Sequence, residues 1–181
     1  MFTAWPSILF AARGIVNGVK RVVTIGVYGW TLDAFLVALH EAGVARLLDV
    51  RQRRGVRGSE YAWANSVRLQ RALSEASISY QHHLDLAPTT ELRQLQYAED
   101  ARQGVGKRSR IQLATEYAER YTREILDHAN LDAVAAELPT ARAAALFCVE
   151  RDPEACHRSI IAARLASEHG VAVAHLRPSG S

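Results

Sequence analysis

One short segment of the sequence, CVERDPEACHRS from Cys148 to Ser159, carries most of the side chains that suit chemistry. A strongly apolar run precedes it and predicts a buried strand, and Asp152-Pro153 is a typical signal for a turn or a helix start. The predicted first turn of the next helix contains Cys156, His157, Arg158 and Ser159. A helix dipole and a neighbouring cation stabilise a thiolate, so we expect a lowered pKa for Cys156. The same helix start would offer unpaired backbone N–H groups to an oxyanion.

Three interpretations of this segment stay open at the level of sequence. In the first, Cys156 is a nucleophile, and His157 or Glu150 handles protons. In the second, Cys148 and Cys156 form a reversible disulfide, because a strand end and the following helix start are adjacent. In the third, both thiols are inert and half-buried, and Arg158 ties the loop to a carboxylate. A metal site is the weakest interpretation because the segment has no evident fourth ligand, and no metal or cofactor is predicted.

A second segment, DVRQRRGVRGSEYAWAN from Asp49 to Asn65, is rich in arginine and glycine. The arginines are Arg51, Arg53, Arg54 and Arg57. Like charges packed this closely repel each other unless an anion or carboxylates neutralise them, and guanidinium groups suit phosphate oxygens. Gly58 would let the backbone approach a ligand closely, and Tyr61 would either stack on a base or pack in the core. The segment predicts an anion-binding loop; the alternative is a solvated basic loop in which Asp49 and Glu60 pair with neighbours.

The composition is that of an ordinary globular domain. The chain has 181 residues, of which 49% are hydrophobic and 23% are charged. This balance excludes a disordered chain, a collagen-like chain and a coiled coil. Two cysteines are too few for a disulfide-stapled secreted scaffold. The net charge of +3 is a mild basic bias that suits anionic partners, and the excess of arginine over lysine is equally explained by a GC-rich genome.

Hydrophobic periodicity predicts strands that alternate with helices. The predicted strands cover residues 22–25, 47–50, 78–81, 143–149 and 171–175. The predicted helices cover residues 31–42, 66–76, 111–125, 131–138 and 159–169. Ser109 and Gln112 form a predicted capping box for the helix at 111–125. Residues 84–108 are polar and stay unassigned, apart from a capped helix start predicted at Thr89–Arg93. Alternation of this kind predicts a single α/β domain with a mainly parallel open sheet of about five strands and helices on both faces.

In open α/β sheets, ligands bind outside the carboxyl ends of the strands. The Asp49–Asn65 and Cys148–Ser159 segments both follow strands at that edge, so we expect them to form one cleft. His82-His83 follows the third strand at the same edge, and Arg93 is expected to point into the cleft. The run Gly104–Arg108 resembles a phosphate-binding loop only loosely, because it lacks the spacing and does not follow an apolar strand.

Residues 1–20 are predicted to be an N-terminal arm, and residues 21–178 the α/β domain. The apolar stretch Ile8–Ala12 is too short to span a bilayer, and no basic residue precedes it as in a secretory signal. The arm is expected to pack as a short helix on the domain or on a partner chain, or to be an extension of little consequence. A homodimer therefore stays open, and the predicted location is the cytoplasm without membrane contact.

Two motifs resemble those of the domain of unknown function family 488. One is a strand ending in Asp-Val-Arg with an arginine-rich loop after it, and the other is Cys-x-Glu-x-Asp-Pro-x-x-Cys-His-Arg-Ser. The resemblance covers roughly residues 21–177. Within the family, the stretch Gly55–Asn65 looks like the branch that reads Gly-x-Arg-Gly-x-x-Tyr-Ala-x-Ala-Asn. The resemblance implies an α/β fold and one site formed by both loops, but it supplies no reaction.

Together the two segments predict an intracellular enzyme that acts on a phosphate-bearing ligand, either a nucleotide or a nucleic acid, by group transfer or hydrolysis. The predicted catalytic residues are Cys156, His157, Glu150 and Asp49. The predicted ligand-binding residues are Arg51, Arg54, Arg57, Gly58, Tyr61, Asn65, Cys148, Arg158 and Ser159. The alternatives are a non-catalytic nucleic-acid-binding or DNA-repair-accessory protein and a thiol redox sensor.

Overall fold

Five short runs of the described chain form a fully parallel sheet. The strands are β1 (Arg21–Ile25), β2 (Val44–Asp49), β3 (Ser79–His82), β4 (Ala143–Phe147) and β5 (Ala172–His175). Their order in the sheet is β3-β2-β4-β1-β5, so β4 lies at the centre. β4 reads Ala-Ala-Ala-Leu-Phe and is buried along its whole length, as expected for a strand covered on both faces.

The structure is a computed structural model that describes residues 18–178. The predicted N-terminal arm falls almost entirely outside the described residues, and so does the packing predicted for it. Within the described range, no helix combines the length and the apolar character needed to cross a bilayer.

The described residues contain six α-helices between and beside the strands. They are α1 (Leu32–Glu41), α2 (Ser66–Glu75), α3 (Thr90–Arg102), α4 (Thr115–Glu124), α5 (Leu131–Glu137) and α6 (Arg158–His169). The side chain of Thr31 caps α1 and that of Thr89 caps α3, each accepting a hydrogen bond from a backbone N–H of the first turn. Gly170 ends α6 in the left-handed conformation with φ at +63°, which glycine adopts without strain.

The crossovers build one layer of helices on each face of the sheet. The chain moves toward β3 through α1 and α2, and then returns toward β5 through the four later helices. Right-handed crossovers that run in opposite directions place their helices on opposite faces. Phe35 of α1 packs on Phe147 at one face, and Tyr121 of α4 and Leu165 of α6 pack around Leu146 at the other. The predicted α/β fold with helices on both faces is confirmed.

The direction of the chain reverses between β2 and β4. The loop after β2 leads toward β3, and the loop after β4 leads toward β5. Such loops diverge and leave a crevice at the carboxyl edge of the sheet, where ligands bind in folds of this kind. β2 and β4 pair directly, with Asp49 opposite Phe147. The Asp49–Asn65 and Cys148–Ser159 segments therefore leave the sheet at the same edge, as predicted, and they do so from adjacent strands.

Two parts of the predicted element pattern differ from the structure. Residues 84–108 contain the helix α3, of which only the capped start at Thr89–Arg93 is predicted. The predicted capping box at Ser109 and Gln112 is wrong, because α4 begins only at Thr115. Ser109 instead closes a turn, in which its hydroxyl accepts a hydrogen bond from the N–H of Gly106 at 3.0 Å. A serine hydroxyl bonds as readily to a turn as to a helix start, so sequence spacing alone does not separate the two.

Candidate active site

A cavity of about 440 Å³ opens at the carboxyl ends of β2 and β4. The loops after these strands, α3 and the segment that leads to α4 form its walls. The side chains that can carry chemistry, here called the floor residues, are Cys148, Glu150, Cys156 and His157. The cationic side chains that line the cavity are Arg51, Arg53, Arg57, Arg93, Lys107 and Arg110. Among the described lining residues, Glu150 is the only carboxylate, so the lining carries a strong excess of positive charge.

The imidazole of His157 lies between the backbone of β2 and the two sulfur atoms. Its Nε2 is 3.0 Å from the carbonyl oxygen of Val50, and a carbonyl only accepts, so Nε2 donates this hydrogen bond. Its Nδ1 therefore faces the cysteines, at 4.0 Å from Cys148 Sγ and 3.9 Å from Cys156 Sγ. The three donor atoms lie within 4.8 Å of one another, and all three residues are buried.

The two thiols differ in their tendency to ionise. Burial raises the pKa of Cys148 well above its ordinary value, and its hydrogen bond to Cys156 raises it further. Burial also opposes ionisation of Cys156, but the hydrogen bond from Cys148, the charge of Arg158 and the imidazole of His157 together hold the pKa of Cys156 well below its ordinary value. Cys156 is therefore the more acidic thiol of the pair. Burial lowers the pKa of His157, but the neighbouring Cys156 outweighs burial and raises it overall.

A chain of ion pairs leads from the floor to α3. Cys148 Sγ lies 3.5 Å from Glu150 Oε2, and Glu150 Oε1 lies 3.6 Å from Arg110 and 3.8 Å from Lys107. Burial and then the charge of Cys156 raise the pKa of Glu150, whereas Lys107 and Arg110 lower it. Arg110 in turn forms a two-pronged ion pair with the buried Asp100. Both cations beside Glu150 are therefore held in place by carboxylates.

Three other cations of the wall have no carboxylate partner within residues 18–178. Arg53 and Arg57 are exposed, and the guanidinium of neither forms an ion pair there. Arg93 donates to Gln52 Oε1 at 2.6 Å and to the hydroxyl of Tyr97 at 3.0 Å, both of which are neutral. These three charges are consequently free to meet an anion that enters the cavity.

Arg51 lines the cavity, but its guanidinium is already paired with the carboxylate of Asp49. Arg51 Nε and Nη2 donate to the two carboxylate oxygens of Asp49 at 2.8 and 2.7 Å, and Arg51 Nη1 donates to the carbonyl oxygen of Ala64. Asp49 is fully buried and also accepts a hydrogen bond from the hydroxyl of Tyr80 at 2.7 Å. The structure thus places Asp49 in a structural ion pair outside the cavity and not among the floor residues.

Several other predicted ligand-binding residues of the first loop lie outside the cavity lining. They are Arg54, Gly58, Tyr61 and Asn65. Arg54 faces Tyr80, whose hydroxyl raises the pKa of Arg54 by hydrogen bonding. Asn65 Oδ1 accepts a hydrogen bond from the N–H of Val56 at 2.8 Å, which shapes the loop, and Tyr61 packs edge-on against Tyr28 at 5.1 Å. Gly58 has φ at +106° and begins a short 3-10 helix, Ser59–Ala64.

The start of α6 also differs from its prediction. Cys156 precedes the helix in an extended conformation, and α6 begins at Arg158. The backbone N–H of Ser159 donates to Cys156 O, and those of Ile160 and Ile161 donate to His157 O. The N–H groups of Ser159 and Ile160 are therefore already bonded at the helix start, whereas those of His157 and Arg158 form no hydrogen bond within the described residues. Arg158 and Ser159 do not line the cavity.

The family whose description reads Domain of unknown function DUF488 has a model that matches residues 31–165. This range covers most of the chain and includes both loops of the cavity. The chain belongs to the DUF488 family. No curated protein and no solved structure matches it. The expected family is thus confirmed, and the matched range of this DUF488 protein contains every floor residue.

Sequence reasoning missed several of the residues that line the cavity of this DUF488 chain. They are Tyr28, Gln96, Tyr97, Lys107, Arg110 and Tyr117. Most lie in α3 and in the segment after it, where only a helix start at Thr89–Arg93 is predicted. The polar face of α3 masks its helical period, although Thr89 before Glu91-Leu92 is a readable capping signal. Arg93, expected in the cleft, does line the cavity, whereas His82 and His83 do not.

Gly26 is required where β1 of the DUF488 domain passes the loop that carries Glu150. A Cβ atom at position 26 would collide with the backbone carbonyl of Glu150, and backbone has little freedom to yield. We expect Gly26→Ala to lower the free energy of unfolding by about 1–3 kcal/mol, measured by urea denaturation. Gly106→Ala is the matched control, since its nearest contact would be an ordinary 3.7 Å from Ser109 Oγ. Equal stability of the two variants would show that the loop yields freely.

Proposed function

We propose that this DUF488 chain is an enzyme that acts on a phosphate-bearing ligand, a nucleotide or one nucleotide of a nucleic-acid strand, by hydrolysis or group transfer. One observation carries the proposal. A wall of six cationic side chains and a floor of two thiols, an imidazole and a carboxyl group face the same cavity. Anion-binding groups and groups that suit nucleophilic or acid–base chemistry are thereby brought within reach of one small ligand.

The wall suits phosphate better than it suits a simple carboxylate. Arg53, Arg57 and Arg93 carry charges without carboxylate partners in the described part of the chain, and a guanidinium binds two phosphate oxygens at once. Lys107 and Arg110 add charge deeper in the cavity, beside Glu150. A phosphate group would therefore sit between the entrance and the floor, with its oxygens shared among several donors.

The size and the aromatic part of the lining favour a nucleotide over a larger ligand. The volume of about 440 Å³ falls in the range of roughly 300–1,000 Å³ that is usual for small-molecule sites. Tyr28 and Tyr97 line the same cavity, and aromatic rings are common stacking partners of nucleobases. A double helix is too wide to enter, so a polymeric substrate would have to present a single extruded nucleotide.

The binding part of the proposal is tested by removing the two free arginines of the first loop. We expect Arg53→Ala/Arg57→Ala to weaken binding of AMP and of a short single-stranded oligonucleotide by about tenfold for each arginine. The slope of log K against log salt should fall by about 0.7 per lost phosphate contact on the single strand. Isothermal titration calorimetry at several salt concentrations measures both quantities.

The matched control is Arg71→Ala, which removes an equally exposed arginine of α2 that pairs with Glu75. This variant should bind like the wild type. Unchanged affinity in the double variant would place the anion site elsewhere. To separate an enzyme from a non-catalytic binder, hydrolysis of the bound nucleotide is followed in Glu150→Gln and Cys156→Ser. A protein that binds AMP but shows no turnover in the wild type would be the nucleic-acid-binding alternative.

A further inference from the structure

We infer that the cavity floor is a zinc centre, in which Cys148, Cys156 and His157 hold one Zn²⁺ whose fourth position opens into the cavity. The inference deepens the proposed function, on which its catalytic part rests, since it names the hydrolytic machinery of the same site. The metal-binding part stands on its own geometry and is testable without a substrate.

The donor atoms already have nearly the spacing that zinc requires. With Zn–S near 2.3 Å and Zn–N near 2.0 Å, a tetrahedral site places neighbouring donors about 3.5–3.8 Å apart. His157 Nδ1 lies 4.0 Å from Cys148 Sγ and 3.9 Å from Cys156 Sγ, and all three donors lie within 4.8 Å of one another. A contraction of about half an ångström between nitrogen and each sulfur, and of up to about 1 Å between the two sulfurs, would complete the set by side-chain rotation. Two sulfurs and one imidazole are donors that favour zinc over magnesium or calcium.

The hydrogen bond from His157 Nε2 to the carbonyl oxygen of Val50 is of the kind that metal-bound histidines ordinarily make. A histidine ligand usually donates its second ring N–H to a carbonyl or carboxylate, which fixes the tautomer and aims the free lone pair at the metal. Here Nε2 donates to Val50 O at 3.0 Å, so Nδ1 presents its lone pair to the space between the sulfurs. Val50 directly follows β2, and Cys148 directly follows β4. The sheet itself therefore sets this geometry.

The missing fourth ligand, which weakens a metal interpretation of the sequence, fits a catalytic site. Structural zinc sites are closed by four protein ligands, whereas catalytic sites use three and keep the fourth position for water or substrate. All three donors line the cavity, so the open position would face the incoming ligand. Glu150 stands beside it, with Oε2 3.5 Å from Cys148 Sγ, close enough to exchange protons with a water in that position.

Glu150 carries one proton from water to the leaving group in the resulting hydrolysis. A water in the open position gives one proton to Glu150, and its oxygen forms a bond to the electrophilic phosphorus or carbon of the substrate. The bond from that atom to the leaving group breaks, and the leaving group departs with the electron pair. Glu150 then returns the proton to the leaving group. One water is consumed, and no oxidant or reductant is needed.

Metal content is the direct test. The full chain, purified with reductant and loaded with ZnCl₂, is passed through gel filtration and assayed by elemental analysis. We expect one zinc per chain, lost on treatment with a chelator and regained on adding zinc. Cys148→Ser, Cys156→Ser and His157→Gln should each weaken zinc binding by about 100-fold or more. His40→Gln, at an exposed position of α1, and Glu150→Gln should retain the metal.

Alkylation of the cysteines in the wild-type chain provides a second test, which does not depend on whether the Cys148, Cys156 and His157 variants fold. Bound zinc should slow alkylation of both cysteines, and the chelator should restore it. Cobalt in place of zinc should give a thiolate-to-metal charge-transfer band in the near ultraviolet. Inorganic phosphate and AMP should then shift the visible cobalt bands of the wild type. In Arg53→Ala/Arg57→Ala, the charge-transfer band should persist while this shift is lost.

The outcomes separate the two proposals. A folded, reduced chain that binds no zinc, or whose alkylation is indifferent to zinc, would overturn the metal centre and leave the cationic cavity standing. A Cys148–Cys156 disulfide that forms under mild oxidant despite added zinc would also overturn it, in favour of the redox sensor. Tight zinc binding with cobalt bands that phosphate and AMP do not shift would instead contradict the proposed phosphate-binding function.

Discussion

Replacing Asp49 with alanine is expected to lower the free energy of unfolding by about 3–5 kcal/mol, because it leaves a buried guanidinium without its counter-charge. Arg51 and Asp49 are almost completely buried and share two hydrogen bonds of 2.8 and 2.7 Å. The guanidinium of Arg51 also lies 4.6 Å from the centroid of the Phe147 ring. The hydrogen bond to Ala64 O and the Phe147 ring still hold the guanidinium when the carboxylate is removed, so a buried charge is left without compensation.

Urea denaturation of two further variants makes this prediction specific. Tyr80→Phe removes one hydrogen bond to Asp49 and should cost only about 1–3 kcal/mol. The double variant Asp49→Ala/Arg51→Met removes both charges and should recover much of the stability lost in Asp49→Ala. A double variant no more stable than Asp49→Ala would contradict the account. So would an Asp49→Ala protein with the stability of the wild type.

Replacing Arg158 with methionine is expected to lower the free energy of unfolding by about 2–5 kcal/mol, because it leaves buried acceptors without a donor. Arg158 is fully buried, and Nη1 and Nη2 donate to the carbonyl oxygens of Glu150 and Arg151 at 2.7 and 3.0 Å. Its Nε donates to Thr24 Oγ1 of β1. One side chain thus ties the loop after β4 to the neighbouring strand, and the loop should loosen when it is lost.

The loosening is measurable by amide hydrogen exchange. Exchange in residues 150–157 should accelerate in Arg158→Met more than exchange in α2 on the opposite face. Arg158→Lys should recover little, because an ammonium group cannot reach two carbonyls in the fork geometry of guanidinium. Recovery by lysine would mean that the positive charge, and not the planar fork, is what the loop needs. A uniform acceleration across all elements would indicate a merely global loss of stability.

The sheet was predictable because its signal is distributed along the whole chain. Four of the five strands contain an apolar run, whereas β3 reads Ser-Tyr-Gln-His. The alternation with helices fixes the parallel topology through the handedness of the crossovers. The meeting of the loops after β2 and β4 follows from the same reasoning. The helix α3 was not predictable in this way, since its outward face is polar and only Leu92, Gln96 and Asp100 are buried.

The roles of the individual charges could not be predicted, because a sequence shows that a cation is present but not what neutralises it. Arg51 and Arg158 read as ligand-binding residues, yet one is held by Asp49 and the other by backbone carbonyls. Lys107 lies in a run that resembles a phosphate-binding loop only loosely, and Arg110 lies within the predicted capping box, yet both reach Glu150. Asp49 lies only two residues from Arg51, but the other partners are distant in sequence or belong to the backbone, so only the three-dimensional arrangement identifies them.

The central position of β4 has a consequence for where this protein can be shortened. Residues 31–165 define the family match, but β1 and β5 lie outside that range. A polypeptide trimmed to those limits would lose the neighbour that covers one side of β4 and would present an alanine-rich apolar edge to other molecules. Unprotected edges of that kind promote association between copies. The smallest version that keeps both β4 and β1 paired on both sides therefore extends from Arg21 to His175.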